Sequence, residues 1–177
     1  MKNEALAKLE GLVGIWDLTM TDAWFLESPD IKVRGTATIE WLGDAFLHMS
    51  STWEDDSTID WVIGRSDPHE RLTVLSHDSR GVCRVFGMTF DDGKFLMERA
   101  DPDFHQRIVG IVSADRIDAR PEASEDEGRT WRKDFHLIFE RRRASGACRP
   151  SPVRRSPRRP GVRGPGGPLG SRSRPSG

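Results

Sequence analysis

The residue types best able to do chemistry fall in two short stretches. One is His77-Asp78-Ser79-Arg80-Gly81-Val82-Cys83-Arg84, and the other holds Arg99, Asp101, Asp103, His105, Gln106 and Arg107. A guanidinium is planar, permanently charged and matched to carboxylate or phosphate oxygens. His77, Arg84, Arg99 and Arg107 are therefore candidates to line one mouth of a cavity and hold an anionic head group. Arg84 is in step with Phe86, Met88 and Phe90, and Arg99 with Phe95 and Met97, so both share an apolar face, where a lone charge is prohibitive and a partner or ligand is required. Asp78 or Asp101 could be that partner without any ligand. Gln106, in step with Phe104 and Ile108, is either a cavity hydrogen bonder or a satisfied core amide.

The same side chains admit other readings. His77 with Asp78 or Asp101 makes an acid/base set for a small-molecule enzyme of isomerase, cyclase or hydratase type. In a purely local reading, Asp78-Ser79-Arg80-Gly81 is a turn in which Asp78 accepts backbone amides and Gly81 takes positive φ. No His/Cys/Asp spacing suits zinc, and no serine or cysteine has a recognisable base partner. No catalytic residue, metal or cofactor is assigned.

The elements that must position these residues read as strands. Ile31, Val33, Ala37, Ile39 and Trp41 alternate with Lys32, Arg34, Thr36, Thr38 and Glu40, and the same period of two recurs from Trp16 to residues 131–142. Turn signals fall every 8–12 residues or so, with Asp91-Asp92-Gly93 the strongest hairpin signal. This predicts an all-β, antiparallel up-and-down barrel of about ten strands, a number that leaves room for an internal cavity with Gly110 on its wall. Asn3 is placed to cap a short N-terminal helix through about Val13, with Ala5, Leu6, Leu9 and Val13 on its apolar face. The six tryptophans could stack on a flat ligand, although alternating aromatic residues such as Trp41, Trp53 and Trp61 are more often core.

The chain pivots on Gly14-Ile15-Trp16, where helix gives way to strand. If the first and last strands pair, Arg141 or Arg142 can lie over Trp16. This Gly-x-Trp with a late Arg resembles the signature of the calycin superfamily, which includes lipocalins and fatty-acid-binding proteins. Asp78-Ser79-Arg80-Gly81-Val82-x-Arg84, Gln106-Arg107, Glu122-x-Ser124-x-Asp126-x-Gly128-x-x-Trp131 and Asp134 with Arg141 resemble an uncharacterised bacterial family of lipocalin-like barrels, close to the domain of unknown function 1579. The resemblance spans about residues 9–142 and implies a calycin-like barrel with an internal cavity; it supplies no catalytic residue. A related barrel family, the nitrobindin-like proteins, holds haem through one late histidine. His136 and His105 invite that comparison, but the sequence around His136 does not match.

Composition divides the chain. All 28 Asp and Glu precede residue 144, against 19 of the 27 Lys and Arg, so residues 1–143 carry a net charge of −9. Residues 144–177 hold eight Arg, seven Pro, seven Gly and six Ser, a net +8 that cannot bury enough apolar surface to order itself. The expected organisation is a barrel domain at 1–143 and a disordered tail at 144–177: a passive extension, a frameshifted terminus, or an arm, the only part suited to nucleic acid. Cys83 and Cys148 make no disulfide framework. No secretory signal and no membrane-length apolar run is present, so a cytoplasmic protein is expected, with a small apolar or amphipathic molecule as its partner, no membrane, and a homodimer left open. The leading functional expectation is noncatalytic binding of that molecule, oriented by Arg84, Arg99, Gln106, Arg107 and His77; a filled barrel acting as an interaction module is a further alternative.

Overall fold

A computed structural model of the protein describes residues 1–143; the expectations for residues 144–177, including Cys148, lie outside the described residues. Eleven strands follow one 3-10 helix (Glu4–Leu12): β1 (Gly14–Thr21), β2 (Val33–Leu42), β3 (Phe46–Trp53), β4 (Thr58–Arg65), β5 (Leu72–Asp78), β6 (Cys83–Asp91), β7 (Lys94–Ala100), β8 (His105–Val112), β9 (Arg116–Ser124), β10 (Arg132–Lys133) and β11 (His136–Arg141). Each of β1 to β8 pairs antiparallel with the next, β9 pairs with β11, and β11 pairs with β1, which closes a ring of ten. The two-residue β10 adds only to the end of β9. The expected barrel is thus present, and closure removes the exposed edges that an open sheet would carry.

The single closing strand expected over residues 131–142 is broken. Asp134 donates its N–H to the Pro121 carbonyl at 3.0 Å, but proline has no N–H to return, so the ladder with β9 lapses there. Pairing resumes one residue out of register, with Leu137 opposite Ala119. The Asp91–Lys94 hairpin is as the sequence suggests, with Asp92 and Gly93 at φ 45° and 70°, the positive values of a two-residue I′ connection.

The helix differs in kind from the expectation. Leu6, Leu9 and Leu12 are buried, whereas Ala5 and Val13 are only half-buried. A repeat of three residues puts leucines on one line in a 3-10 helix, which has three residues per turn. Asn3 is the cap as expected, its side chain accepting from the Ala5 N–H at 3.1 Å.

Against the helix sits Trp16, fully buried, donating its indole N–H to the Leu12 carbonyl at 2.9 Å. The Arg141 guanidinium lies 4.1 Å from the Trp16 ring centroid and donates to the carbonyls of Gly11, Val13 and Ala114, each at 2.7 Å. Gly14, at φ 150°, leaves the space that Arg141 crosses; a Cβ there would overlap its guanidinium. One arginine thereby ties the helix, the first strand, the last strand and the β8–β9 turn.

Ile39, Leu47, Met49, Ile63, Val74, Phe86, Met88, Phe95, Met97, Ile108 and Phe139 pack with Leu6, Leu9 and Leu12 of the helix in one core. Where the sequence predicts an open cavity, the core holds a small apolar cavity of about 20 Å³, bordered by Leu12, Met49, Trp61, Met88 and Met97 among others. That is roughly the space for one water molecule, and its lining is apolar. Gly110 does not open the wall: the Phe95 ring occupies the space over it.

Candidate functional site

Polar inward residues collect at the end of the barrel away from the helix, at the first or last inward positions of β3 and β5 to β8. Ser76 faces Arg84 across β5 and β6, and Arg99 faces Gln106 across β7 and β8. Strand parity therefore brings Arg84, Arg99 and Gln106 into one mouth. It separates His77 and Arg107 from them. His77, one residue out of step with Ser76, is exposed on the outer face opposite Cys83. Arg107, adjacent to Gln106, also points outward, where it pairs with Glu122 at 2.5 Å and covers the Trp131 ring at 4.3 Å.

Arg99 is the centre of the mouth. Its side chain is 5% exposed; Nε donates to Asp101 at 2.9 Å and Nη2 to Asp103 at 2.6 Å. The Arg99 guanidinium stacks on Phe104 with its centre 4.7 Å from the ring centroid, and Arg84 approaches the same ring at 5.4 Å. Donation from Arg99 holds the Asp103 carboxyl below its ordinary range. The Nη1 of Arg99 is sealed from solvent and has no acceptor. Trp53, at an inward position of β3, has a second sealed donor without a partner, its indole Nε1; its ring lies against the backbone at Gly35.

The rim is built by the β1–β2 loop. Trp24 donates Nε1 to Asp134 at 2.8 Å, and Asp134 also accepts from Gln106 Nε2 at 3.3 Å. Arg132 covers Trp24 at 4.5 Å, and Phe25 meets Phe135 edge-on. The sequence marks neither Phe104 nor Asp134 as a site residue, and Trp53 only as one of six tryptophans that could stack on a ligand. Parity alone marked Trp53 and Phe104 as inward, but only the register shows which arginines they meet.

The acid/base set is not assembled. Asp78 accepts from Arg80 Nη2 at 2.6 Å and from the Arg80 and Val82 amides, which lowers its pKa chiefly through the Arg80 hydrogen bond. Gly81 takes φ 81°, so the stretch is the local turn that its composition allows. The outward side of the wall also takes His48, paired with Asp60 at 3.1 Å, and His136, paired with Asp118 at 2.9 Å. His105 likewise sits on an outward position of β8, next to inward Gln106, and His69 lies in the exposed β4–β5 loop. Among the described residues no histidine faces the interior, so neither His136 nor His105 is placed to bind a haem there.

Beyond the mouth, Asp126 organises the acidic loop. It accepts from Ser124 Oγ at 2.7 Å and from the Thr130 N–H and hydroxyl at 2.8 and 2.6 Å. Those bonds, Thr130 foremost, lower its pKa from 3.8 to about 2. A carboxyl depressed in the folded state stabilises it above the unfolded value, and that contribution fades as pH falls from about 4 towards 2. Asp126→Asn should therefore flatten the fall of the urea midpoint between pH 4 and 2. An unchanged slope would show that the loop opens before Asp126 titrates.

Closure by ten antiparallel strands, a helix across one end and an arginine over a buried tryptophan define a calycin-like β-barrel. No family model and no curated protein matches the chain. Among solved structures it is similar to the crystal structure of Rv2717c from M. tuberculosis, with a TM-score of 0.57 and 12% identity over 81% of this chain and 100% of that one. A de novo designed fluorescence-activating β-barrel aligns at 13% identity over 73% of this chain and 93% of that one, with a TM-score of 0.37. At such identities the likeness to Rv2717c concerns the fold alone.

Proposed function

We propose that the protein binds a small, mostly apolar molecule without transforming it, in the mouth lined by Arg84, Arg99, Gln106, Phe104 and Trp53. The observation that carries this reading is the Nη1 of Arg99, a charged group's donor held out of water with no acceptor. Such a group is costly to leave unmade and is compensated when a ligand supplies the acceptor. Met20, Trp53, Trp61 and Phe135 are half-buried apolar residues packed against the core, a surface for the apolar body of the ligand, and Met49, Met88 and Met97 within that core are flexible enough to repack.

Titration of the full chain with the neutral fluorophore 1-aminoanthracene tests this. Saturable enhancement at one equivalent is expected, weakened by Phe104→Ala, and native mass spectrometry should show the bound mass lost on denaturation. Absence of saturable binding would favour a second reading, a filled barrel acting through its outer surface, which the 20 Å³ interior supports.

A further inference from the structure

We infer that the polar end of this ligand is an uncharged hydrogen-bond acceptor, a carbonyl or amide oxygen, and not a carboxylate; the inference rests on the binding reading above. The charge of Arg99 is already met. Two carboxylates, Asp101 and Asp103, take its Nε and Nη2 edge, and what lacks an acceptor is Nη1, sealed from solvent with its two N–H groups. A third anion there would sit beside two carboxylates that have claimed the same cation, and like charges at such range disfavour one another.

The wider mouth points the same way. Asp101, Asp103 and Asp134 ring the mouth, held by Arg99, Gln106 and Trp24, within a domain of net charge −9. The second orphan is also a donor: the indole N–H of Trp53. In the ring order, β3 and β7 stand on opposite walls, so two unpartnered donors flank the mouth while its carboxylates are engaged by Arg99, Gln106 and Trp24. A ligand with acceptor oxygens and no net charge satisfies both donors without adding to the negative field.

Two naphthalenes of the same size and shape separate the alternatives. Displacement of 1-aminoanthracene from the full chain at pH 7.5 by 2-naphthamide should require at least about tenfold less compound than displacement by 2-naphthoate. Naphthalene-2,6-dicarboxamide, with an acceptor at each end, should also displace 1-aminoanthracene, and Trp53→Phe, which keeps an aromatic ring and removes the N–H, should weaken it at least about threefold. Equal or tighter binding of 2-naphthoate would overturn the inference and leave the binding reading standing, as would binding of 1-aminoanthracene that neither 2-naphthamide nor 2-naphthoate displaces. An unchanged dicarboxamide affinity in a folded Trp53→Phe protein would overturn Trp53 as a second donor to the ligand. If 1-aminoanthracene itself does not bind, the binding reading falls and takes the inference with it.

Discussion

Trp16→Ala is expected to cost the domain about 3–5 kcal/mol, the range for removing a large buried aromatic side chain, and to lower the thermal midpoint by roughly 10–20 °C. Trp16 is fully buried, and its removal deletes the hydrogen bond to Leu12, the edge-on contact with Phe139 at 6.3 Å and the surface on which Arg141 lies. Arg141 would keep its three carbonyl acceptors, so the helix should loosen rather than detach. The cation–π share can be isolated by a double-mutant cycle of Trp16→Leu with Arg141→Met, where a coupling of about 0.5–2 kcal/mol is expected. A loss below about 1 kcal/mol for Trp16→Ala, well under the usual range, would mean that the helix end collapses into the space, and that Trp16 closes the barrel without holding it.

The Trp16–Arg141 contact was legible because each of its premises is local. Gly14-Ile15-Trp16 begins an alternating run and residues 131–142 contain another, and pairing the two brings Arg141 opposite Trp16. The break at Asp134 was not, because it arises from Pro121 on a neighbouring strand. The helix type was legible in principle, since leucines at 6, 9 and 12 repeat every three residues. Parity sorted Arg84, Arg99 and Gln106 inward correctly, and it would also have excluded Arg107, which directly follows Gln106, and His77, which follows Ser76. Those two joined the mouth by residue type rather than by phase. Phe104 between two arginines, and Asp134 between Gln106 and Trp24, depend on register and loop path across as many as 110 residues, which no local pattern encodes.

Gly110→Ala is expected to destabilise the barrel by about 1–3 kcal/mol, although adding a methyl to a glycine within a strand ordinarily stabilises it. The sign is set by Phe95. Gly110 stands opposite Phe95 on β7 and Ala119 on β9, and a Cβ at position 110 would lie within the Phe95 ring. The ring must swing away, and beneath it are Met88, Met97 and the 20 Å³ cavity that Phe95 helps to line. Phe95→Leu in the same chain should recover part of the loss, so that the double variant is more stable than the two single changes sum to, as measured by urea denaturation. The same experiment bears on ligand entry. A Gly110→Ala protein of unchanged stability would mean that Phe95 moves at little cost, and an interior that yields so readily could admit an apolar body deeper than the mouth. A full penalty, relieved by the smaller ring-site residue, means that the interior is jammed and, on the proposed binding reading, leaves a ligand only the end of the barrel at Arg99.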